Sequence, residues 1–187
     1  MPALAQLWAP ILLSALLVFL GSSLVHMVLK WHNTDYKKLP GEDEIRAAIR
    51  KSAPSPGQYV IPHCVDPAEQ RKEENKQKFV EGPVGMLIVM PNGLPQMGGP
   101  LAKWFAFNII VAFFVAYVSS HALPIGTEYL RVFQITGTVA FMAYGLGEVP
   151  WAIWFGKPWT ATLKDLGDAL LYGMLTGGSF GWLWPHG

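Results

Sequence analysis

No charged side chain occurs among residues 1–29, and residues 30–103 then hold 20 of the chain's 27 charged groups, 11 basic and 9 acidic. Seven are left for the other 113 residues. A chain partitioned in this way alternates apolar segments with one water-facing segment, and only 14% of its residues are charged where a soluble domain carries roughly 25%. The expected fold is an all-α membrane protein with four transmembrane helices and a cytoplasmic α/β insert between the first and second. The divisions are residues 1–29 for the first helix, 30–100 for the insert and 101–187 for the remaining three. A formal net charge of +1 excludes a strongly basic nucleic-acid binder. One cysteine, Cys64, excludes an internal disulfide framework and a multi-cysteine metal site from this chain alone.

Residues 8–29 read WAPILLSALLVFLGSSLVHMVL, enough to cross a hydrocarbon core that needs about 20 residues. A secretory signal peptide is the competing reading, with Gly21, Ser22 and Ser23 as a cleavage site, but a basic leading segment is missing and the apolar run is too long. The second span is expected at residues 101–122, before the turn around His121 and Pro124. A third begins near Tyr129 and, to cross fully, must continue through Glu148 and Pro150 toward Phe155. The fourth runs from about Thr162 to Trp184, with Lys164, Asp165 and Asp168 in its opening turns.

Basic residues flanking spans stay on the cytoplasmic side. Lys30, Lys37, Lys38, Lys103, Lys157 and Lys164 fall on the side of the long insert and only Arg131 on the other, so both termini are expected outside. Seven of the eight tryptophans (Trp8, Trp31, Trp104, Trp151, Trp154, Trp182 and Trp184) fall at predicted span ends, the depth that amphipathic rings favour.

The insert is too long for a structureless loop. Residues 42–51 predict a helix with acids first, bases last and Ile45, Ala48 and Ile49 on one face. Asp66, Pro67 and Glu69 match the N-cap, first-turn proline and capping-box positions of a second, solvated helix. Residues 58–62 and 84–91 predict two strands able to pair. A re-entrant hairpin at Met86 to Val89 would leave backbone groups needing cover, so a surface strand is preferred.

The candidate site is an intramembrane polar cluster of His26, Tyr144, Glu148, Asp165, Asp168 and Tyr172. Charged groups are costly within a bilayer and need partners or water, and all of these fall at the cytoplasmic end, together with Lys103. At about 100° per residue, Asp165, Asp168, Tyr172, Thr176 and Ser179 share one face of the fourth span. Gln134, Gly137, Tyr144, Gly145 and Glu148 share a face of the third, where Pro150 weakens the helix. The functional reading is a proton relay or polar substrate path; the structural one, which is preferred, is hydrogen bonding that holds the bundle together.

Gly173, Gly177 and Gly181, spaced four apart, form a packing stripe that suits an internal helix, a second copy or another subunit alike. His63 and Cys64, with Met86, Met90 and Met97 later in the insert, are weak candidates for copper or zinc because their spacing matches no closed site. A haem held by two spans is disfavoured, since His26 and His121 lie at opposite faces; His121 and His186, which share the outer face, read as interfacial residues. No cofactor is called for. Nucleophile-elbow, HExxH, phosphate-loop and dinucleotide motifs are missing, and Ser119, Ser120 and His121 suit local hydrogen bonding better than catalysis.

The segments GQYVIPHC, EGPVGMLIVMPNG and FMAYGLGEVPWAIWFGKPWTAT resemble an uncharacterised family of small bacterial integral membrane proteins. The resemblance covers most of the chain. It implies a bacterial inner membrane and the same four-span layout, and it transfers no activity and no functional residue.

The expected role is an accessory, scaffold or assembly component whose partners are the lipid bilayer and a homo-oligomer or larger membrane complex. The alternative is a small transporter or proton-coupled channel component using Glu148 and Asp168.

Overall fold

The computed structural model describes residues 1–186, which are mostly helical. In chain order the elements begin with α1 (Trp8–Ser23), entered through a 3-10 turn at Leu4–Leu7 and continued by a π turn at Leu24–Leu29. A second 3-10 turn, Trp31–Asp35, precedes α2 (Glu42–Ser52), β1 (Gly57–Ile61), α3 (Pro67–Gln70), α4 (Glu73–Glu81) and β2 (Gly85–Val89). Then come α5 (Gly98–Ala122), α6 (Tyr129–Gly145), a 3-10 turn at Leu146–Glu148, α7 (Val149–Phe155) and α8 (Trp159–Trp182). Two compact units result: Lys37–Pro95, and a helical body made of Met1–Tyr36 with the chain from Gln96 onward. Residues 30–36, which their charge assigned to the insert, therefore belong to the helical body.

In the helical body α6 and α8 lie closest together because glycine removes the side chain at each crossing. A Cβ at Gly173 would stand 2.9 Å from Gly137 O, and one at Gly177 2.9 Å from Phe133 O. The glycine stripe thus packs against an internal helix, which selects among the three partners left open above. Leu7, Val111, Val115, Ala116, Val132, Ala140, Phe180 and Trp184 form the apolar core. Trp184 is 1% exposed and its indole N–H donates to Pro124 O at 3.0 Å, so it is a core residue and not part of an interfacial belt. Trp8, Trp154 and Trp182 are well exposed.

Two helical stretches, Leu4–Leu29 and Gly98–Ala122, are long and apolar enough to cross a membrane. The expected count of four is not reached on length and composition. α6 stops at Gly145 after 17 residues and the chain tightens into a 3-10 turn before Pro150, while α8 carries Lys164, Asp165 and Asp168 in its first half.

In the insert unit the two strands pair antiparallel, with Tyr59 opposite Leu87. The charged stretch expected as one helix is two. Asp66 accepts from the Ala68 N–H at 2.7 Å and starts α3, but Lys72 is extended (φ −67°, ψ 138°) and becomes the N-cap of α4. Glu73 and Glu74 favour that second N-terminus through the helix dipole. The buried Asn75 side chain donates to Glu69 O at 2.9 Å and satisfies the end of α3. Glu69 pairs with Lys72 at 2.6 Å instead of completing a capping box.

Candidate functional site

The site is built where α1 loses its regular winding. The π turn accommodates one extra residue, so the Lys30 N–H donates to Val25 O at 3.0 Å, and Lys30 itself is left-handed at φ 54°. An L-residue in that region is strained by roughly 1–2 kcal/mol, and such departures cluster at functional sites. The reversal folds Trp31–Asp35 back onto α8, with the Trp31 ring filling the space beside Gly167. His26 and His32 then stack at a centroid separation of 4.7 Å.

Both imidazoles converge on Asp168. Its Oδ2 lies 3.1 Å from His26 Nε2 and 3.0 Å from His32 Nε2, while its Oδ1 is buried without a hydrogen-bond partner. Asp168 is 5% exposed. On its other nitrogen, His32 Nδ1 stands 2.9 Å from Asp35 Oδ2. Lys164, one helical turn before Asp168, grips Asp35 Oδ1 and also donates to Trp31 O at 2.8 Å and Thr34 Oγ1 at 2.7 Å. The Lys164 ammonium holds the Asp35 carboxyl below the usual carboxylate range, against the opposing effect of burial, and His32 adds to the lowering.

A second ionic group adjoins the first. Lys157, in the loop after α7, lies 2.6 Å from Glu148 Oε2 and 2.6 Å from Asp165 Oδ2. Burial alone would lower the Lys157 pKa, but Asp165 and Glu148 outweigh it and the pKa is raised. Deeper in the body the indole N–H of Trp104 donates to Ser22 Oγ at 2.7 Å and Tyr144 Oη donates to Asn108 Oδ1 at 3.2 Å. Tyr144 and Tyr172 meet edge to face at 5.4 Å.

A cavity of about 310 Å³ joins these parts, and His26, Tyr144, Glu148, Asp165, Asp168 and Tyr172 all line it, beside Trp104 and Phe107. The structure therefore brings the six sequence-derived residues around one space. Lys103 is exposed and does not line it. The reading from sequence missed His32, Asp35 and Asn108. His32 and Asp35 fall beyond the apolar span, and the signal available was their own spacing, three apart as on one turn of helix.

The other candidates lie elsewhere. Among the described residues the converging group of three potential metal ligands is His26, His32 and Asp168, and neither His63 nor Cys64 belongs to it. His63 is exposed, and the Cys64 carbonyl accepts from Gln70 Nε2 at 2.7 Å. Ser119 donates to Val115 O at 2.7 Å and Ser120 to Tyr117 O at 2.9 Å, the local bonding expected of them. No family model, curated protein or solved structure matches the chain, so the reading of this site rests on its own residues.

Proposed function

We propose that the chain is a four-span protein of the bacterial inner membrane, crossing through α1, α5, α6 with α7, and α8. The termini lie outside and the Lys37–Pro95 unit in the cytoplasm. It acts as an accessory, scaffold or assembly component and not as a carrier of solute. Only 28% of the apolar window in each of the two long helices is buried, unlike an enclosed core helix. Leu12, Leu16 and Leu20 on α1 and Ile110, Phe113 and Phe114 on α5 are open to the surroundings, as are Leu163, Leu170 and Met174 on α8. So much exposed apolar surface suits lipid better than water.

The observation that carries the non-transporting role is how the buried hydroxyls beyond the cavity are engaged. Past Asn108 and Tyr144 the buried residues of α5, α6 and α8 include Val111, Val115, Val132, Ala140 and Phe180 together with Ser119, Ser120, Thr136, Thr176 and Ser179. Four of these hydroxyls donate to carbonyls of their own helices: Ser119 to Val115 O, Ser120 to Tyr117 O, Thr136 to Val132 O and Ser179 to Leu175 O. Asp168, Tyr172, Thr176 and Ser179 share a buried face of α8, but Ser179 at the end of that row is committed to the backbone, whereas a relay or solute path needs polar groups that bond to one another along it.

Two measurements test the proposal. Cys64 is the chain's one cysteine, so a membrane-impermeant maleimide is expected to label it in inverted vesicles and not in right-side-out vesicles; the reverse pattern overturns the topology. Purified protein in proteoliposomes under a pH gradient is expected to pass no more protons than empty liposomes do. Glu148→Gln and Asp168→Asn are expected to reduce the yield of folded protein without changing that flux. A pH-driven flux abolished by either substitution would establish the transporter reading instead.

A further inference from the structure

We infer that His26, His32 and Asp168 form a binding site for one divalent first-row transition metal ion of the zinc and iron(II) type. This goes beyond the accessory role and holds whether or not the chain has a membrane partner. Two imidazoles and one carboxylate are the donor set that such ions take, whereas magnesium and calcium prefer oxygen alone.

The spacing fits. With metal–ligand bonds of about 2.0–2.1 Å, neighbouring donors stand about 3.3 Å apart in a tetrahedron and about 2.9 Å apart in an octahedron. Asp168 Oδ2 stands 3.1 Å and 3.0 Å from the two Nε2 atoms, and all three donor atoms lie within 4.8 Å of one another.

The surroundings of His32 point the same way, with Asp35 Oδ2 2.9 Å from its Nδ1 and Asp168 Oδ2 3.0 Å from its Nε2. An Nδ1–H donated to Asp35 leaves the Nε2 lone pair for a metal. A carboxylate behind a ligand histidine fixes tautomer and ring orientation in this way. Asp35 is itself held in place by Lys164.

A second and independent observation is the unpartnered Oδ1 of Asp168, whose residue is 5% exposed. A buried carboxylate oxygen without a donor is costly, and a cation at this carboxylate relieves that cost. His26 and Asp168 also line the 310 Å³ cavity, so the positions that three protein donors leave open adjoin a space able to admit water or a small ligand.

The test uses the full chain in detergent, stripped with a chelator, loaded with zinc sulfate and freed of excess metal by gel filtration. About one zinc per chain is expected by elemental analysis, undiminished by millimolar magnesium, and cobalt(II) loaded in its place is expected to give ligand-field bands in visible light. His32→Ala and Asp168→Asn are expected to lose the zinc. His26, whose side chain is 48% exposed, allows a variant that keeps the fold: His26→Ala is expected to bind at least about tenfold more weakly with an unchanged circular dichroism spectrum. Asp35→Asn, behind the ligand, is expected to weaken binding by about 10–100-fold. The double variant His63→Ala with Cys64→Ser is expected to bind normally. Wild-type protein that retains no zinc, zinc affinity equal in His26→Ala and wild type, or zinc lost only with His63 and Cys64 would each overturn the site.

Discussion

Gly177→Leu is expected to prevent α6 and α8 from docking, giving a protein that aggregates on extraction, and Gly173→Ala is expected to lower its melting temperature measurably. At both positions a Cβ alone would sit 2.9 Å from a backbone carbonyl oxygen, Phe133 O or Gly137 O. Backbone cannot rotate away as a side chain can, so the helices must separate. They then lose the close contact on which helix association in lipid depends. Overpacking of this kind costs about 1–3 kcal/mol, and more when several methylenes follow the Cβ. Two comparisons make the result specific. Gly181→Ala should cost less, because its nearest obstacle at 2.8 Å is the ring of Tyr129, which is half-exposed and can swing aside, while the backbone Tyr129 O stands farther back at 3.2 Å. Gly147→Ala, with nothing within 4 Å, should melt with the wild type. Thermal unfolding followed by size-exclusion chromatography in detergent gives the order; equal losses at all four positions would show that the crossing is not set by these glycines.

What the sequence disclosed follows from which structures are periodic. Tyr144, Glu148, Asp165, Asp168 and Tyr172 sit on helices or at a helix end, where about 100° per residue carries each side chain to a calculable bearing, and the structure sets them around one cavity. The glycine spacing was legible for the same reason, though its partner was not, since small-residue stripes serve internal and external contacts equally. His32 and Asp35 left only their spacing of three as a signal. An inserted residue in the π turn and a left-handed Lys30 reverse the chain, and neither leaves a periodic trace. Trp184 misled because composition places an indole near a span end without saying whether it faces lipid or core. The break at Lys72 was hidden by a uniformly polar run whose caps at Asp66 and Lys72 compete locally. The span count turned on α6, which ends after 17 residues, and on α8, where three charged residues that serve the cluster also depress the apolarity by which a span is recognised.

Removing one cation should cost more than removing the whole ionic group around it. In Lys157→Met, Glu148 and Asp165 keep their charges and lose the ammonium that lies 2.6 Å from each. Stripping one partner from a fully buried pair costs about 3–5 kcal/mol, whereas exposed pairs contribute about 0–1 kcal/mol. With the Lys157 side chain 29% exposed and that of Glu148 39%, the expected loss lies between, at about 1–2 kcal/mol. The triple variant Lys157→Met, Glu148→Gln, Asp165→Asn should recover most of it, because no uncompensated charge is left behind. The pH dependence follows from the raised Lys157 pKa. A cation stabilised in the folded state contributes fully below the ordinary lysine value of 10.5, and that contribution disappears as pH rises through the higher folded value. Wild type and Lys157→Met should therefore differ most at neutral pH and converge in the alkaline range above 10.5. Melting curves from pH 7 upward check this; a difference that persists undiminished where the wild-type lysine has lost its proton would mean that the lysine's hydrocarbon stem, and not its charge, secures the loop between α7 and α8.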